Sequence, residues 1–399
     1  MSKSSESKLL LRSDRLIKYF PVKAGVFRRV VDQVKAVDDV SFNVYEKETL
    51  GLVGESGCGK TTAGMTVLRL YEPTSGRIIV GDEDTTHFFM PALKARKYLK
   101  STYIDKFVDL KAKAGTVEGA LNSIEDEFDK SMAEKYFKEF NEDRSEFIKS
   151  LLGNREEKRK AFRRDAQIIF QDPFSSLNPR MRVKNIIGEG ARIHGLATGR
   201  DVLDKVADIM TKVGLSKDHM SRFPHEFSGG QRQRIGVARA LILNPKLIVC
   251  DEAVSALDVS IQAQILNLLS DLQKEFGLTY LFIAHDLGVV KHVSKRVAVM
   301  YLGKIAELSD KKKLFDNPLH PYTVSLMSAI PEANPEKKKQ RILLEGDVPS
   351  PINPPSGCRF HPRCPIAKDV CSKEEPKLQD VGGGHFVSCF FPGELKRGL

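Results

Sequence analysis

Short uninterrupted apolar runs recur along this chain, and helical periods separate them. Thr49-Leu-Gly-Leu-Val53, Ala166-Gln-Ile-Ile-Phe170, Leu247-Ile-Val-Cys250, Tyr280-Leu-Phe-Ile-Ala284 and Arg296-Val-Ala-Val-Met-Tyr301 each read as a short strand, most of them buried. Thr61–Leu68 reads as a helix leaving the first strand, and Ile235, Val237, Ala238 and Leu241 mark another. Strands alternating with helices give an α/β fold class. Nearer the N-terminus, Leu9–Leu11, Gln33–Val40 and Ser41–Tyr45 read as strands around a loop at Pro21–Val31. Leu121, Ile124, Phe128, Met132 and Tyr136 step by three and four, as one helical face does, and Phe147, Ile148, Leu151 and Leu152 suggest a further helix. No apolar stretch approaches the ~20 residues that a spanning helix needs. Residues 1–8 carry no signal-peptide core, so the expectation is an intracellular protein.

Composition changes this picture in two ways. At 399 residues the chain exceeds one typical domain, so appendages are expected around a central one. Its formal charge of +11 invites a nucleic-acid reading, but 63 basic residues are mixed with 52 acidic ones. No basic patch is interleaved with aromatics in the way that grips single strands, so no nucleic-acid partner is expected. A basic protein at an anionic membrane surface explains the charge more simply.

Two segments carry phosphate chemistry. Gly54, Glu55, Ser56, Gly57, Cys58, Gly59, Lys60 and Thr61, followed by Thr62, fit the Gly-rich loop whose backbone N–H groups cradle phosphates ahead of a helix. Far downstream, Ser228, Gly229, Gly230 and Gln231 put a hydroxyl and small residues at another helix N-terminus, a second anion site. One γ-phosphate seldom needs both, unless the second serves a nucleotide held by another copy. At this point the sequence resembles the ATP-binding-cassette (ABC) ATPases, whose signature is L/F-S-G-G-Q and whose cassettes meet head to tail, each signature closing over the partner's ATP.

The remaining segments stand in that family's order. Lys60 is expected to reach the β- and γ-phosphates and Thr61 to ligate Mg²⁺. Asp251 and Glu252 end a buried strand: Asp251 suits Mg²⁺, and Glu252 can polarise the attacking water. Gln171 follows one strand and can bond both metal and water. His285 follows another, near the γ-phosphate. The resemblance makes Asp258 the D-loop residue that crosses the dimer seam. It also makes Phe20 the aromatic that stacks on adenine, with Tyr19 the other candidate. Ala253 stands where the family usually has Pro.

The resemblance covers about residues 9–310, as two parts of a cassette at 1–84 and 166–310, interrupted by a helical insertion at 85–165. That insertion reads as a helical hairpin or small bundle, either a self-contained decoration or a docking or regulatory element. After Gln171 a turn-rich loop, Asp172–Arg180, leads into helical patterns, the region that in the family receives the coupling helix of the membrane partner. Residues 311–399 form a Pro-rich extension with His320-Pro-Tyr-Thr323, Gly346-Asp-Val-Pro-Ser-Pro351 and Gly357-Cys-Arg-Phe-His-Pro-Arg-Cys-Pro365. This extension resembles the ATPases of oligopeptide/dipeptide importers, and Phe170–Pro179 and Val254–Gln264 look most like their F-type subunit. The resemblance implies an ATP-hydrolysing motor for oligopeptides, dipeptides or similar solutes such as oligosaccharides or metal chelates. It implies a D-type second ATPase as heterodimer partner, two transmembrane permease subunits, an extracytoplasmic solute-binding protein, and a peripheral place on the cytoplasmic face of the cell membrane. The other class is a soluble ABC ATPase acting on DNA or ribosomes.

Cys58 and Cys250 read as small packing residues. Cys358, Cys364, Cys371 and Cys389 are spaced C-x5-C-x6-C-x17-C. Cytosolic disulfides are disfavoured, and no C-x2-C pair suggests a zinc ribbon. Four soft thiolates with Pro365 after the second suit a [4Fe–4S] cluster, and the importer branch includes members with one. Zinc, with His361 and His385 as spare ligands, or unligated thiols are the alternatives.

Overall fold

The structure, a computed structural model, describes residues 8–329, 342 and 344–395. Except for Lys8, the N-terminal segment read as lacking a signal-peptide core lies outside the described residues. The chain divides into two compact units, one of Met1–Gly76 with Arg164–Leu399 and one of Arg77–Arg163.

In the first unit, β1 (Leu9–Ala24) and β2 (Arg29–Tyr45) form a long antiparallel hairpin, and β3 (Thr49–Val53) begins the central sheet. β4 (Ser75–Val80) begins in the first unit and ends in the second, which continues with β5 (Glu83–Asp84). The central sheet then resumes with β6 (Ala166–Ile169), β7 (Leu247–Asp251), β8 (Thr279–Ala284), β9 (Arg296–Tyr301) and β10 (Lys304–Asp310). Short strands β11 (Gln379–Asp380) and β12 (Phe386–Val387) extend it at one edge, in the order β11-β12-β10-β9-β3-β8-β7-β6. From β9 to β6 every pairing is parallel. Every residue of β3, β7 and β8 is buried, which is why their sequences run apolar without alternation. The chain leaves β3, β6, β7 and β8 at one edge, and such carboxyl ends are where open α/β sheets bind ligands.

Two expectations need correction. The loop expected at Pro21–Val31 is mostly strand: Pro21 pairs with Gln33, Val22 with Asp32 and Ala24 with Arg29. Only Gly25–Arg28 turns, closed by the Arg28 N–H donating to the Gly25 carbonyl at 3.0 Å, with φ of +76° and +46° at its ends. Pro had suggested a break, yet a residue lacking an N–H is tolerated at edge or irregular positions. Likewise, the face from Leu121 to Tyr136 is not one helix. Val117–Asn122 stops, and Glu127–Glu134 starts afresh because the Asp126 carboxylate accepts from the Asp129 N–H at 2.8 Å as an N-cap. All five apolar residues still meet in one core with Tyr103, Phe107 and Phe147.

That second unit is tied together by buried acids. Asp84 accepts from the hydroxyls of Tyr98 and Tyr103 at 2.8 and 2.7 Å. Asp129, whose side chain is 3% exposed, accepts from Arg77 at 2.5 Å and Lys106 at 2.6 Å. Burial alone would push the Asp129 carboxyl up, but hydrogen bonds from Arg77 and Lys106 hold it below the usual carboxylate range. Removing one partner of a buried pair leaves the other charge uncompensated, so Asp129→Ala should destabilise this unit by about 3 kcal/mol. The benefit of ionised Asp129 is fully present above the unfolded carboxyl value near ~3.9 and is lost as pH falls through the lowered folded value. Urea denaturation with hydrogen-exchange protection of residues 77–163 should therefore show a gap between wild type and variant that narrows on acidification below about pH 4.

Candidate functional site

The loop between β3 and the helix Lys60–Val67 is built on glycine. Gly54, Gly57 and Gly59 have φ of +154°, +78° and +103°. A Cβ on Gly54 would lie 2.1 Å from the Met300 carbonyl oxygen, and one on Gly59 would lie 1.9 Å from that of Ala36. The loop is therefore pressed against the backbones of β9 and β2. Cys58, inside it, is buried, and burial pushes its thiol up. Lys60 is 4% exposed and donates to the carbonyls of Gly54 and Glu55 at 2.8 and 2.9 Å. Its ammonium thus lies over the loop whose amides precede the helix.

Beside it, the Thr61 hydroxyl donates to Asp251 Oδ1 at 2.7 Å. Burial, and after it the charge of adjacent Glu252, holds the Asp251 carboxyl above its ordinary range. A cation would lower both penalties. Glu252 has φ +46°, a left-handed backbone costing about 1–3 kcal/mol in a non-glycine residue. That turn bends the chain off β7 while the Glu252 N–H still donates to the Ile283 carbonyl of β8 at 3.0 Å. Gln171 Nε2 donates to Glu252 Oε2 at 3.0 Å, and His285 Nδ1 lies 3.4 Å from the same oxygen. Three strand ends that are far apart in sequence thus converge on one carboxylate.

Ser228 caps the helix Gly229–Leu241: its hydroxyl accepts from the Gln231 N–H while the Gln231 side chain accepts from the Ser228 N–H at 3.0 Å. A Cβ on Gly230 would meet Ile261 at 2.6 Å, and one on Gly229 would touch Leu257 at 3.5 Å. This segment is accordingly packed against the neighbourhood of Asp258, which is exposed and precedes the helix Val259–Phe276 without capping it by its side chain. Of the two candidate aromatics, the Tyr19 hydroxyl is engaged with Asp38. Phe20 is half-buried, edge-on to Tyr71 at 5.4 Å, with the Lys18 ammonium 4.7 Å from its ring centroid.

In the extension, the thiols of Cys358, Cys364, Cys371 and Cys389 lie near enough to feel one another's charge. Burial pushes Cys358 up to about 11 and Cys389 up to about 12. Backbone amides are aimed at the sulfurs: those of Phe360 and His361 at Cys358, Ile366 at Cys364 and Phe391 at Cys389. Among the described residues no group of three or more His, Cys, Asp or Glu converges closely enough to hold a metal ion. His385, the spare ligand of the zinc alternative, is buried with its Nε2 2.6 Å from Glu307 Oε1. Sequence reasoning missed Arg363, whose guanidinium donates to both carboxylate oxygens of Glu55 at 2.9 and 3.4 Å, and Arg359, which donates to Asp38. The segment had drawn notice for its cysteines and its importer-type pattern, not for these arginines.

Known proteins resemble this chain at several levels. The family model "ABC transporter" matches residues 37–151 and 130–255, and "Oligopeptide/dipeptide transporter, C-terminal region" matches 306–371. The chain is 46% identical over 374 residues to the oligopeptide transport ATP-binding protein AppF of Bacillus subtilis, covering 93% of this chain and 94% of that protein. It is 45% identical over 387 residues to OppF of Escherichia coli, covering 96% of each. Among solved structures, a dimeric ATP-binding cassette bound to ADP and Pi shares its fold with a TM-score of 0.51 at 19% identity, covering 76% of this chain and 99% of that one.

The close approach at the loop sets apart two similar substitutions. Gly57→Ala meets open space and should cost about 1–2 kcal/mol for its left-handed backbone alone. Gly59→Ala adds a clash with the Ala36 carbonyl and should cost about 3 kcal/mol or more. Thermal denaturation of the two variants checks the order.

Proposed function

We propose a motor role that proceeds from a family membership: the chain belongs to the ABC transporter ATPases of the oligopeptide/dipeptide type. It is an ATP-hydrolysing subunit whose work is import of oligopeptides or dipeptides across a membrane. One observation carries this reading. The Thr61–Asp251 pair and the Gln171–Glu252–His285 grouping stand together at the strand ends of a chain that also has the importer-type extension.

The loop amides of Gly54–Thr62 and the Lys60 ammonium offset the charge of the triphosphate, and Phe20 stacks on the base, since the Tyr19 hydroxyl is already engaged. Thr61, Gln171 and Asp251 would hold magnesium, which supplies positive charge against the phosphoryl oxygens. Glu252 takes the proton of the attacking water, and Gln171 and His285 hold that carboxylate and the water in line. Ser228, Gly229, Gly230 and Gln231 complete the site of a second cassette, with Asp258 crossing between the two. A D-type ATPase is the second cassette, and closure of the pair moves two permease subunits fed by an extracytoplasmic binding protein. No helix among the described residues is long and apolar enough to cross a membrane; the subunit attaches peripherally at the cytoplasmic face through its permease partners. Residues 85–165 act as a self-contained insertion within the cassette.

Cys358, Cys364, Cys371 and Cys389 would hold a [4Fe–4S] cluster. A single zinc needs its four ligands close together, whereas a four-iron cluster takes thiolates spread around a larger body. The chemistry of the set fits: amides aimed at the sulfurs stabilise thiolate charge, and buried thiols without a cation stay neutral.

Two measurements test this function. Glu252→Gln should bind ATP with near wild-type affinity and hydrolyse it on the order of 10²–10⁴ slower in the assembled transporter; ordinary turnover would rule out Glu252 as the base. Anaerobically purified chain should be brown and contain four irons, with absorption near ~400 nm. One zinc instead would establish the alternative metal, and metal-free protein with an ordered tail would reject both.

A further inference from the structure

The C-terminal extension reaches the phosphate loop itself. Arg363 lies between Cys358 and Cys364, yet its guanidinium forms a two-point pair with Glu55, the second residue of the loop. The Arg363 side chain is 9% exposed and that of Glu55 is 25% exposed, so water screens the pair little. Every polar group of Glu55 is engaged. Its N–H donates to the Tyr322 hydroxyl at 2.9 Å, its carbonyl accepts from Lys60 at 2.9 Å, and its carboxylate takes Arg363. Two of those three partners, Tyr322 and Arg363, come from the extension. Both rest on one aromatic cluster, in which Tyr301 and Tyr322 are 4.7 Å apart and Phe360 lies 5.3 and 5.4 Å from them.

A second link runs beside the first. Arg359 donates to the Leu302 carbonyl and to Asp38, and Asp38 also accepts from the Tyr19 hydroxyl, one residue before Phe20. The Gly303 N–H donates to the carbonyl of Cys58 at 2.8 Å. The segment from Cys358 to Cys364 is therefore braced against both ends of the candidate ATP site, the loop for the phosphates and the strand for the base.

We propose that Arg363 is a positioning residue for ATP: by neutralising and orienting Glu55 it makes the phosphate loop fit for a triphosphate, so nucleotide affinity is set partly by the C-terminal extension. The proposal rests on reading Gly54–Thr62 as the ATP site. Its physics is electrostatic. An unpaired Glu55 carboxylate would face an anion with several negative charges across a poorly screened loop, and would be free to swing towards Lys60. Arg363 touches no reacting atom; it acts through Glu55.

The test uses the full chain and a fluorescent ATP analogue, read as dissociation constants at fixed ionic strength, with KM and kcat measured in the assembled transporter. Arg363→Gln should weaken the analogue on the order of 10-fold, raise KM similarly and leave kcat within about threefold of wild type. Glu55→Gln added to it removes the offending charge and should restore affinity to within about threefold of wild type. A merely structural role for Arg363 would not be rescued this way. The proposal falls if Arg363→Gln binds like wild type, or if the double variant binds no better than the single one. Should Arg363→Gln fail to fold, Arg363→Lys keeps the charge without the two-point geometry; it should fall between wild type and a tenfold loss, and wild-type affinity with Glu55→Gln also unchanged would overturn the idea. Failure of the wild-type chain to bind the analogue would instead overturn the ATP reading, and the proposal with it.

Discussion

Backbone crowding at the glycine-rich loop Gly54–Gly59 is the constraint on which the remaining structure depends. Two carbonyls, from Ala36 and Met300, stand where a side chain at Gly59 or Gly54 would have to go. Such proximity requires β2 and β9 to flank β3 at fixed distance. The parallel pairing of β3 with β9 places Met300, and β2 is held separately, through the Asp38 N–H donating to the Gly303 carbonyl at 2.8 Å. Once those strands are fixed, their ends bring Thr61 to Asp251 and gather Gln171 and His285 on Glu252 without further adjustment. The left-handed turn at Glu252 is the one strained joint in that grouping.

Buried ion pairs hold the distant parts of the chain to this centre. Arg363–Glu55, Arg359–Asp38 and Arg296–Glu48 each join segments far apart in sequence, as does the hydrogen bond between His385 and Glu307, and in each no more than a quarter of either side chain is exposed. Glu307, fully buried, also accepts from the N–H groups of Leu319 and His320 at 2.9 Å, so one carboxylate ties two segments of the extension to β10. His320 beside it is held neutral by burial, down to about 4. Such pairs contribute little net stability over apolar packing, but an alternative arrangement of the extension would leave charges buried and unpaired. They decide where a Pro-rich segment with few strands of its own comes to rest.

Much of this was legible in the sequence because the chemistry demands particular residues at short spacing. A glycine-rich turn before a helix, or an acid pair after a buried strand, announces itself locally, and Gly54–Thr62, Asp251–Glu252 and Ser228–Gln231 are all of that kind. What stayed hidden depends on partners brought together by folding. Nothing near Arg363 points to Glu55, and nothing near His385 marks it as the partner of a buried acid. The periodicity from Leu121 to Tyr136 identified core residues correctly but not the cap at Asp126 that breaks the helix, since a hydrophobic face can continue across a turn. Pro21 suggested a loop where the hairpin in fact continues.

The crowded loop has a consequence for synthesis on the ribosome, where the chain emerges from its N-terminus. Gly54–Gly59 appears early, but the Met300 backbone beneath it and the Arg363 side chain beside it arrive on the order of tens of seconds later at ordinary elongation rates. Residues 77–163, contiguous and with a core of their own, can settle during that interval. The glycine-rich loop cannot, because one of its walls has not yet been made. A nucleotide bound at this loop would therefore stabilise only a nearly complete polypeptide, and a nascent chain arrested short of the extension leaves Tyr301 without Tyr322 or Phe360 to cover it.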